Sequence, residues 1–190
     1  ATGGIIVIDE AYFEFSGRTI APLLERHENL AVFRTFSKAM GLAGLRVGYL
    51  LASSELAREV SKAVLPYNLN AFSQTAAEVA VEMYEAELRP TVARIISERE
   101  RLFAELEKIE GLAPVRSQAN FMIVRSKIEP RRVYNELLRR GGVLVRDVSG
   151  YPMLKDFFRV SVGTPAENDR LLQGLRHIFY GKENEVMSDK

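Results

Sequence analysis

The chain has 190 residues, 47% hydrophobic and 27% charged, with a formal net charge of +1 and its basic and acidic residues interspersed, so no nucleic-acid footprint and no polybasic membrane anchor are expected. Cysteine is absent, which excludes a disulfide framework and any thiolate metal site, and the two histidines, His27 and His177, read as surface or helix-end residues rather than metal ligands. No apolar run approaches the roughly 18 residues of a membrane span, so the expected class is a cytoplasmic enzyme with small-molecule partners.

Ala1-Thr2-Gly3-Gly4 leads at once into Ile5-Ile6-Val7-Ile8, a continuous apolar run of the kind found in buried parallel strands. Such a strand needs neighbours on both sides, and with no initiator methionine ahead of it the opening reads as a fragment or mature half of a longer chain. Pro22 to Arg26 reads as a short helix and Leu30–Phe36 as a second buried strand, followed by a loop bearing Lys38. Gly41 and Gly44 punctuate a turn before a third strand, Leu45–Ala52, in which Gly48 permits close backbone approach. Ser53 or Ser54 caps a helix from Glu55 to Val64.

From Ser73 the periodicity is helical through Glu87, and Pro90 opens or kinks a second long helix that reaches Ile109 and is closed by Gly111. Strands are expected at Ala119–Val124, Val143–Arg146 and Phe157–Val162, with a helix from Pro130 to Arg140 between the first two. Thr164-Pro165, an N-cap followed by proline at the first helical position, opens a last helix over Ala166–Phe179. The segment 181–190 is polar and expected to fray. The fold class is therefore α/β: a mainly parallel sheet over 1–75, then a long helix and a compact α+β unit over 76–180.

Three places could carry chemistry. Asp9-Glu10 stands at the carboxyl end of the first strand, where open α/β sheets bind ligands, although a strand-end aspartate is as often a capping residue. A carboxylate after four aliphatics also resembles the metal-binding strand of P-loop NTPases, but the glycine-rich phosphate loop that fold requires is missing, and Gly174 to Lys182 has the wrong spacing. Thr35-Phe36-Ser37-Lys38 closes the second strand with hydroxyls and an amine, and Arg46 is expected inside the third strand, where an unpaired guanidinium would be costly and calls for an anion. Singly these are a solvated lysine, an ion-paired arginine and a cap. Together they supply an amine to condense with an aldehyde, groups to hold a phosphate and a carboxylate to keep a ring nitrogen protonated, which is the donor set of a pyridoxal phosphate site. Tyr12 could donate to the ring's phenolate oxygen.

The run from Thr35 to Tyr49, TFSKAMGLAGLRVGY, resembles the cofactor-lysine signature of fold-type I aminotransferases, and Ile8-Asp9-Glu10-Ala11-Tyr12 resembles their ring-nitrogen strand. Pro66 to Gln74, Ser117 to Phe121, Val145-Arg146-Asp147 and Phe158 to Thr164 are similar, in order and spacing, to the histidinol-phosphate aminotransferases. The resemblance implies residues 1–75 as the C-terminal part of the cofactor-binding large domain and 76–180 as the interdomain helix and small domain. It implies Lys38 as Schiff-base and proton-transfer lysine, Asp9 at the pyridine nitrogen, Tyr12 at the phenolate oxygen, and Thr35, Ser37 and Arg46 at the cofactor phosphate. Arg159, assisted by Arg146, would grip the carboxylate of the amino donor and the phosphate of histidinol phosphate, with Asn120 supporting the substrate end or tying a loop. A homodimeric parent enzyme exchanging an amino group between glutamate and histidinol phosphate is implied. Its N-terminal arm, the turn that holds the phosphate through its backbone and the aromatic that stacks on the ring have no counterpart in this chain. Alternatives within the family are an aromatic amino acid aminotransferase or a threonine-phosphate decarboxylase. Of another class altogether is a non-catalytic, self-associating module.

Overall fold

In the computed structural model of the chain, residues 3–181 are described, so the expected frayed tail lies outside them beyond Gly181. The chain divides into two units, Ala1–Ala93 and Arg94–Lys190.

In the first unit β1 (Ile6–Asp9) pairs in parallel with β2 (Leu30–Thr35), Ile6 opposite Leu30 and Asp9 opposite Phe33. The chain crosses between them through α1 (Phe13–Ser16) and a 3-10 turn, Ala21–Glu25, where the sequence suggests a short helix. β3 (Gly48–Ala52) returns antiparallel to β2, with Thr35 opposite Gly48 and Ala31 opposite Ala52. The sheet, in the order β1-β2-β3, is thus mixed, and the expected parallel arrangement holds only for its first pair. A parallel return needs a crossover, usually a helix. The link after Phe36 instead folds locally, with Gly41 N donating to Lys38 O and a 3-10 turn at Ala43–Leu45, and so brings the chain back beside the strand end it left.

Burial across this sheet is uneven. Leu30, Ala31 and Val32 are buried, whereas Ile6, Val7 and Ile8, expected to be enclosed, are 45%, 50% and 36% exposed on β1, the edge strand of the described sheet. The expected close approach at Gly48 is present: a Cβ there would lie 2.9 Å from Arg34 O, inside contact distance.

Helix α2 (Ser54–Ser61) starts at Ser53, whose hydroxyl accepts from Leu56 N. Asn70 caps α3 (Ala71–Glu82) by accepting from Ser73 N. Ala77 and Ala80 of α3 pack with Phe36 and Val47, so this helix belongs to the first unit's core, whereas the sequence reading places a boundary near 75. A widened turn of π type, Tyr84–Leu88, leads into α4 (Arg89–Glu107). Pro90, at the start of α4, has no N–H to bond the preceding turn, which favours such a departure from α geometry.

The second unit is an antiparallel sheet in the order β4-β5-β7-β6, built from Leu112–Pro114, Phe121–Ser126, Phe157–Ser161 and Arg146–Asp147 respectively. Strand β4 is absent from the sequence reading, and β6 is displaced and shortened to two residues. Helices α5 (Pro130–Gly141) and α6 (Pro165–Tyr180) pack with the sheet. Leu102, Leu106, Met122, Val124, Val133, Leu137, Phe158, Val160 and Leu175 form the core, each no more than 2% exposed. Burying side chains of this kind contributes about 1.5–3 kcal/mol each. α6 opens on a capping box in which Thr164 and Glu167 satisfy each other's backbone N–H.

Candidate active site

Asp9 and Tyr12 leave β1 together. Asp9 is solvent-exposed, and one of its carboxylate oxygens accepts from Ala11 N at 2.9 Å, which orients the side chain at the strand end. Lys38, in the loop after β2, places its Nζ 5.5 Å from the centre of the Tyr12 ring. Two segments far apart in sequence thus meet at the carboxyl end of the parallel pair, as the rule for open sheets anticipates. The Lys38 loop is held from beneath by Phe36 and Val47 in the core and by buried Ser73, whose hydroxyl donates to Leu45 O at 3.1 Å.

Thr35, Ser37 and Arg46 line one open cavity of about 390 Å³ together with Arg34, Gly48 and Tyr49. The Thr35 hydroxyl donates to Val47 O at 3.3 Å and accepts from Ser37 N at 3.0 Å, so it shapes the loop as well as facing the cavity. Arg46 departs from expectation. It lies outside the strand, exposed, in the left-handed region at φ 57°, and its Nη1 donates to Ala43 O at 3.2 Å. Burial therefore does not explain why an arginine stands here. A non-glycine residue at positive φ is uncommon, and such strain clusters at ligand sites.

Reading the sequence did not single out the pair beside this cavity, Glu10 and Arg34, which are separated by 24 residues. Arg34 Nε and Nη2 donate to Glu10 Oε2 at 3.1 and 3.0 Å, with side chains 12% and 7% exposed. Burial alone would raise the Glu10 pKa, but the bonds from Ile20 N, the Thr19 hydroxyl and Arg34 together hold it below the usual carboxylate value. The available signal was the charged pair itself, one at each strand end; its long-range partner could not be read locally.

In the second unit Arg159 of β7 stands directly opposite Arg146 of β6 and opposite Ile123 of β5. Register partners in an antiparallel sheet share a face, and like charges placed so repel. The Arg159 guanidinium lies over the Phe121 ring at 5.0 Å, and its Nε is buried with no hydrogen-bond partner among the described residues. Arg146 is exposed and donates to the Tyr151 hydroxyl at 3.3 Å. Asn120 leads into β5, where its backbone O accepts from Val162 N at 2.9 Å, and the adjacent Ala119 O accepts from buried Arg99 at 3.2 Å. The Asn120 backbone therefore ties the approaches to β5 and α6 together. Like charges in register and an unsatisfied buried donor are both features that a bound anion would relieve.

Sequence similarity covers both sets of residues. The profile of the family described as aminotransferase class I and II matches residues 1–175. The chain belongs to that family. This chain is 44% identical over 178 residues to histidinol-phosphate aminotransferase 1 of Carboxydothermus hydrogenoformans, an alignment covering 92% of this chain and 49% of that protein. Among solved structures, the histidinol-phosphate aminotransferase of Clostridium acetobutylicum superposes with a TM-score of 0.85 at 24% identity, over 93% of this chain and 55% of that one, a likeness of fold. That of Sinorhizobium meliloti, solved in complex with pyridoxal-5'-phosphate, gives 0.80 at 28% identity over 94% and 49%. The chain spans about half the length of the curated relatives it matches. His27 is exposed, and His177, on the last helix, contacts Arg140 Nη1 at 2.7 Å. Among the described residues no helix is long and apolar enough to cross a membrane.

Proposed function

We propose that this chain carries the lysine-bearing part of a pyridoxal phosphate site, and that the protein it represents exchanges an amino group between glutamate and histidinol phosphate. The observation that carries the reading is the meeting of Lys38 with Tyr12 at the strand ends. The donor set fits the cofactor: Thr35, Ser37 and Arg46 around one cavity suit a phosphate, the exposed Asp9 carboxylate suits a ring nitrogen, and the Tyr12 hydroxyl suits the phenolate oxygen. When bound, pyridoxal phosphate supplies an aldehyde and an electron-accepting ring. Asp9 would hold a proton at the ring nitrogen by charge-assisted hydrogen bonding. Lys38 would supply the amine that holds the cofactor and, once released, would serve as the general base and acid that moves the proton from the α-carbon of the amino donor to the carbon that was the cofactor's aldehyde. Arg159, with Arg146 beside it, binds the carboxylate of glutamate or the phosphate of histidinol phosphate, since a guanidinium fork matches either anion. A homodimer is the assembly we assign, supported by the exposed Leu65, Tyr67 and Phe72, which are 75%, 99% and 73% accessible.

The test is to add pyridoxal phosphate to the chain and to its Lys38→Ala variant, record the visible absorbance, fix it with borohydride and map the labelled peptide. A band that requires Lys38 is expected, bleached by histidinol phosphate and not by phenylalanine. Bleaching by phenylalanine alone points to an aromatic aminotransferase, carbon dioxide release from threonine phosphate points to a decarboxylase, and a band that survives Lys38→Ala refutes the site.

A further inference from the structure

Between the two segments that meet at Lys38 and Tyr12 lies a closed polar set. Glu10 sits one residue after Asp9, and Arg34 one residue before Thr35, so each stands at the root of a segment assigned above to the cofactor. Glu10 Oε1 accepts from Ile20 N at 2.8 Å and from the Thr19 hydroxyl at 3.0 Å, while Oε2 accepts from the same hydroxyl at 2.8 Å and from both Arg34 nitrogens. Arg34 Nη2 donates in addition to Thr19 Oγ1 at 2.8 Å, and the guanidinium covers the Phe13 ring at 3.6 Å, next to Tyr12. The backbone joins in: Glu10 N donates to Phe33 O at 2.8 Å and Phe13 N to Glu10 O at 3.0 Å.

A buried ion pair of this kind is a poor source of stability, because desolvating the two charges offsets most of their attraction and an apolar pair of equal volume would hold the sheet as well. What such a set does provide is orientation, because charge-assisted bonds from a planar guanidinium fix angle as well as distance. Here Arg34 Nε and Nη2 converge on Oε2 while Thr19 Oγ1 bridges both carboxylate oxygens and Nη2, so the set spans the exits of β1 and β2. We propose that Glu10 and Arg34 are positioning residues which set the Asp9 carboxylate and the Lys38 amine at a fixed separation and so tune the cofactor held by both. The inference rests on the cofactor reading given above. The other ionisable groups facing this guanidinium are Glu14, whose carboxyl is pushed up by burial, and Tyr49, opposite Arg34 on β3, with Tyr84 close to both.

The experiment uses the whole chain with Glu10→Gln, Arg34→Met and the double variant. Two readouts are taken. Without cofactor, amide hydrogen exchange is followed at Phe13, bonded to Glu10 O, and at Phe36, bonded to Val47 O, with Val124 of the second unit as reference. Exchange at both Phe amides is expected to quicken by about tenfold in each single variant, with Val124 unchanged and the double variant no worse than either single. With pyridoxal phosphate, the pH midpoint of the Lys38-dependent band is expected to move by about one unit, which a purely structural role would leave in place. Response of only one Phe amide, or a band of unchanged midpoint in the variants, overturns the proposal. No band in the unmutated chain refutes the cofactor reading instead, and the amide data alone then decide whether the pair couples the two strand ends. Should Glu10→Gln fail to fold, Arg34→Lys, which keeps the charge and loses the two converging guanidinium donors, must still shift the midpoint.

Discussion

Asn168 offers a sharp test of how the second unit holds the turn after β7. It is 1% exposed, and its amide donates to Glu98 Oε2 at 2.9 Å and to Gly163 O at 3.1 Å while its oxygen accepts from Gly163 N at 3.0 Å. Replacing it by alanine removes two neutral bonds worth about 1 kcal/mol each and one charge-assisted bond worth about 1.5–3 kcal/mol. Glu98 keeps its bidentate contact with Arg101, and water can reach half-buried Gly163, so part of that sum is recovered. The expected net cost is about 2–4 kcal/mol, read as a fall of more than about 1 M in the urea midpoint. Asn168→Asp is the control for mechanism: a second carboxylate would face Glu98, so its loss should exceed that of alanine at neutral pH and shrink as the pH falls and one carboxyl is protonated. A midpoint within about 0.3 M of the unmutated chain for Asn168→Ala, or an aspartate variant insensitive to pH, refutes this account of the turn after β7.

Arg159→Leu should leave stability unchanged or raise it by up to about 1 kcal/mol, since repulsion from Arg146 and an unsatisfied Nε are removed against the loss of one cation–π contact, while on the proposed reading it should abolish histidinol phosphate binding; thermal melting and calorimetric titration report the two effects. Gly48→Ala pushes a Cβ against Arg34 O and should lower the melting temperature by several degrees and weaken cofactor binding, as measured by melting and absorbance titration. Glu10 and Glu98 both have carboxyls held below the ordinary glutamate value, so the stability they contribute is complete above that value and is lost as the pH falls through their lowered folded-state values. Glu14, raised by burial, acts in the opposite sense, and its contribution fades as the pH rises through its folded-state value. Urea midpoints against pH should therefore show an acid limb that flattens in Glu10→Gln.

Motif spacing led to Lys38, Tyr12 and Asp9, because a strand end followed by reactive side chains is a local arrangement. The pairing of Arg146 with Arg159 was legible only as two separate strands, and the shortening of β6 to two residues was not. Arg46 misled because periodicity places it in a strand, whereas its backbone turns left-handed just before β3 begins. Strand direction was equally hidden: hydrophobic pattern reports burial and says nothing of polarity, which the loop after Phe36 decides. Glu10–Arg34 and Glu98–Asn168 join residues 24 and 70 apart, and no local rule pairs buried polar groups over such spans.

The register of Arg146 with Arg159 also bears on the anion binding proposed for the second unit. On that reading the two charges raise each other's energy in the free protein, and an anion bound by both would release that repulsion in addition to forming new bonds. Selection then follows ligand charge before ligand shape. A neutral isostere of the right size gains none of that release, whereas a doubly charged oxyanion gains most. In buffer, sulfate should stabilise this unit more than chloride at equal ionic strength and, on the proposed reading, should compete with histidinol phosphate.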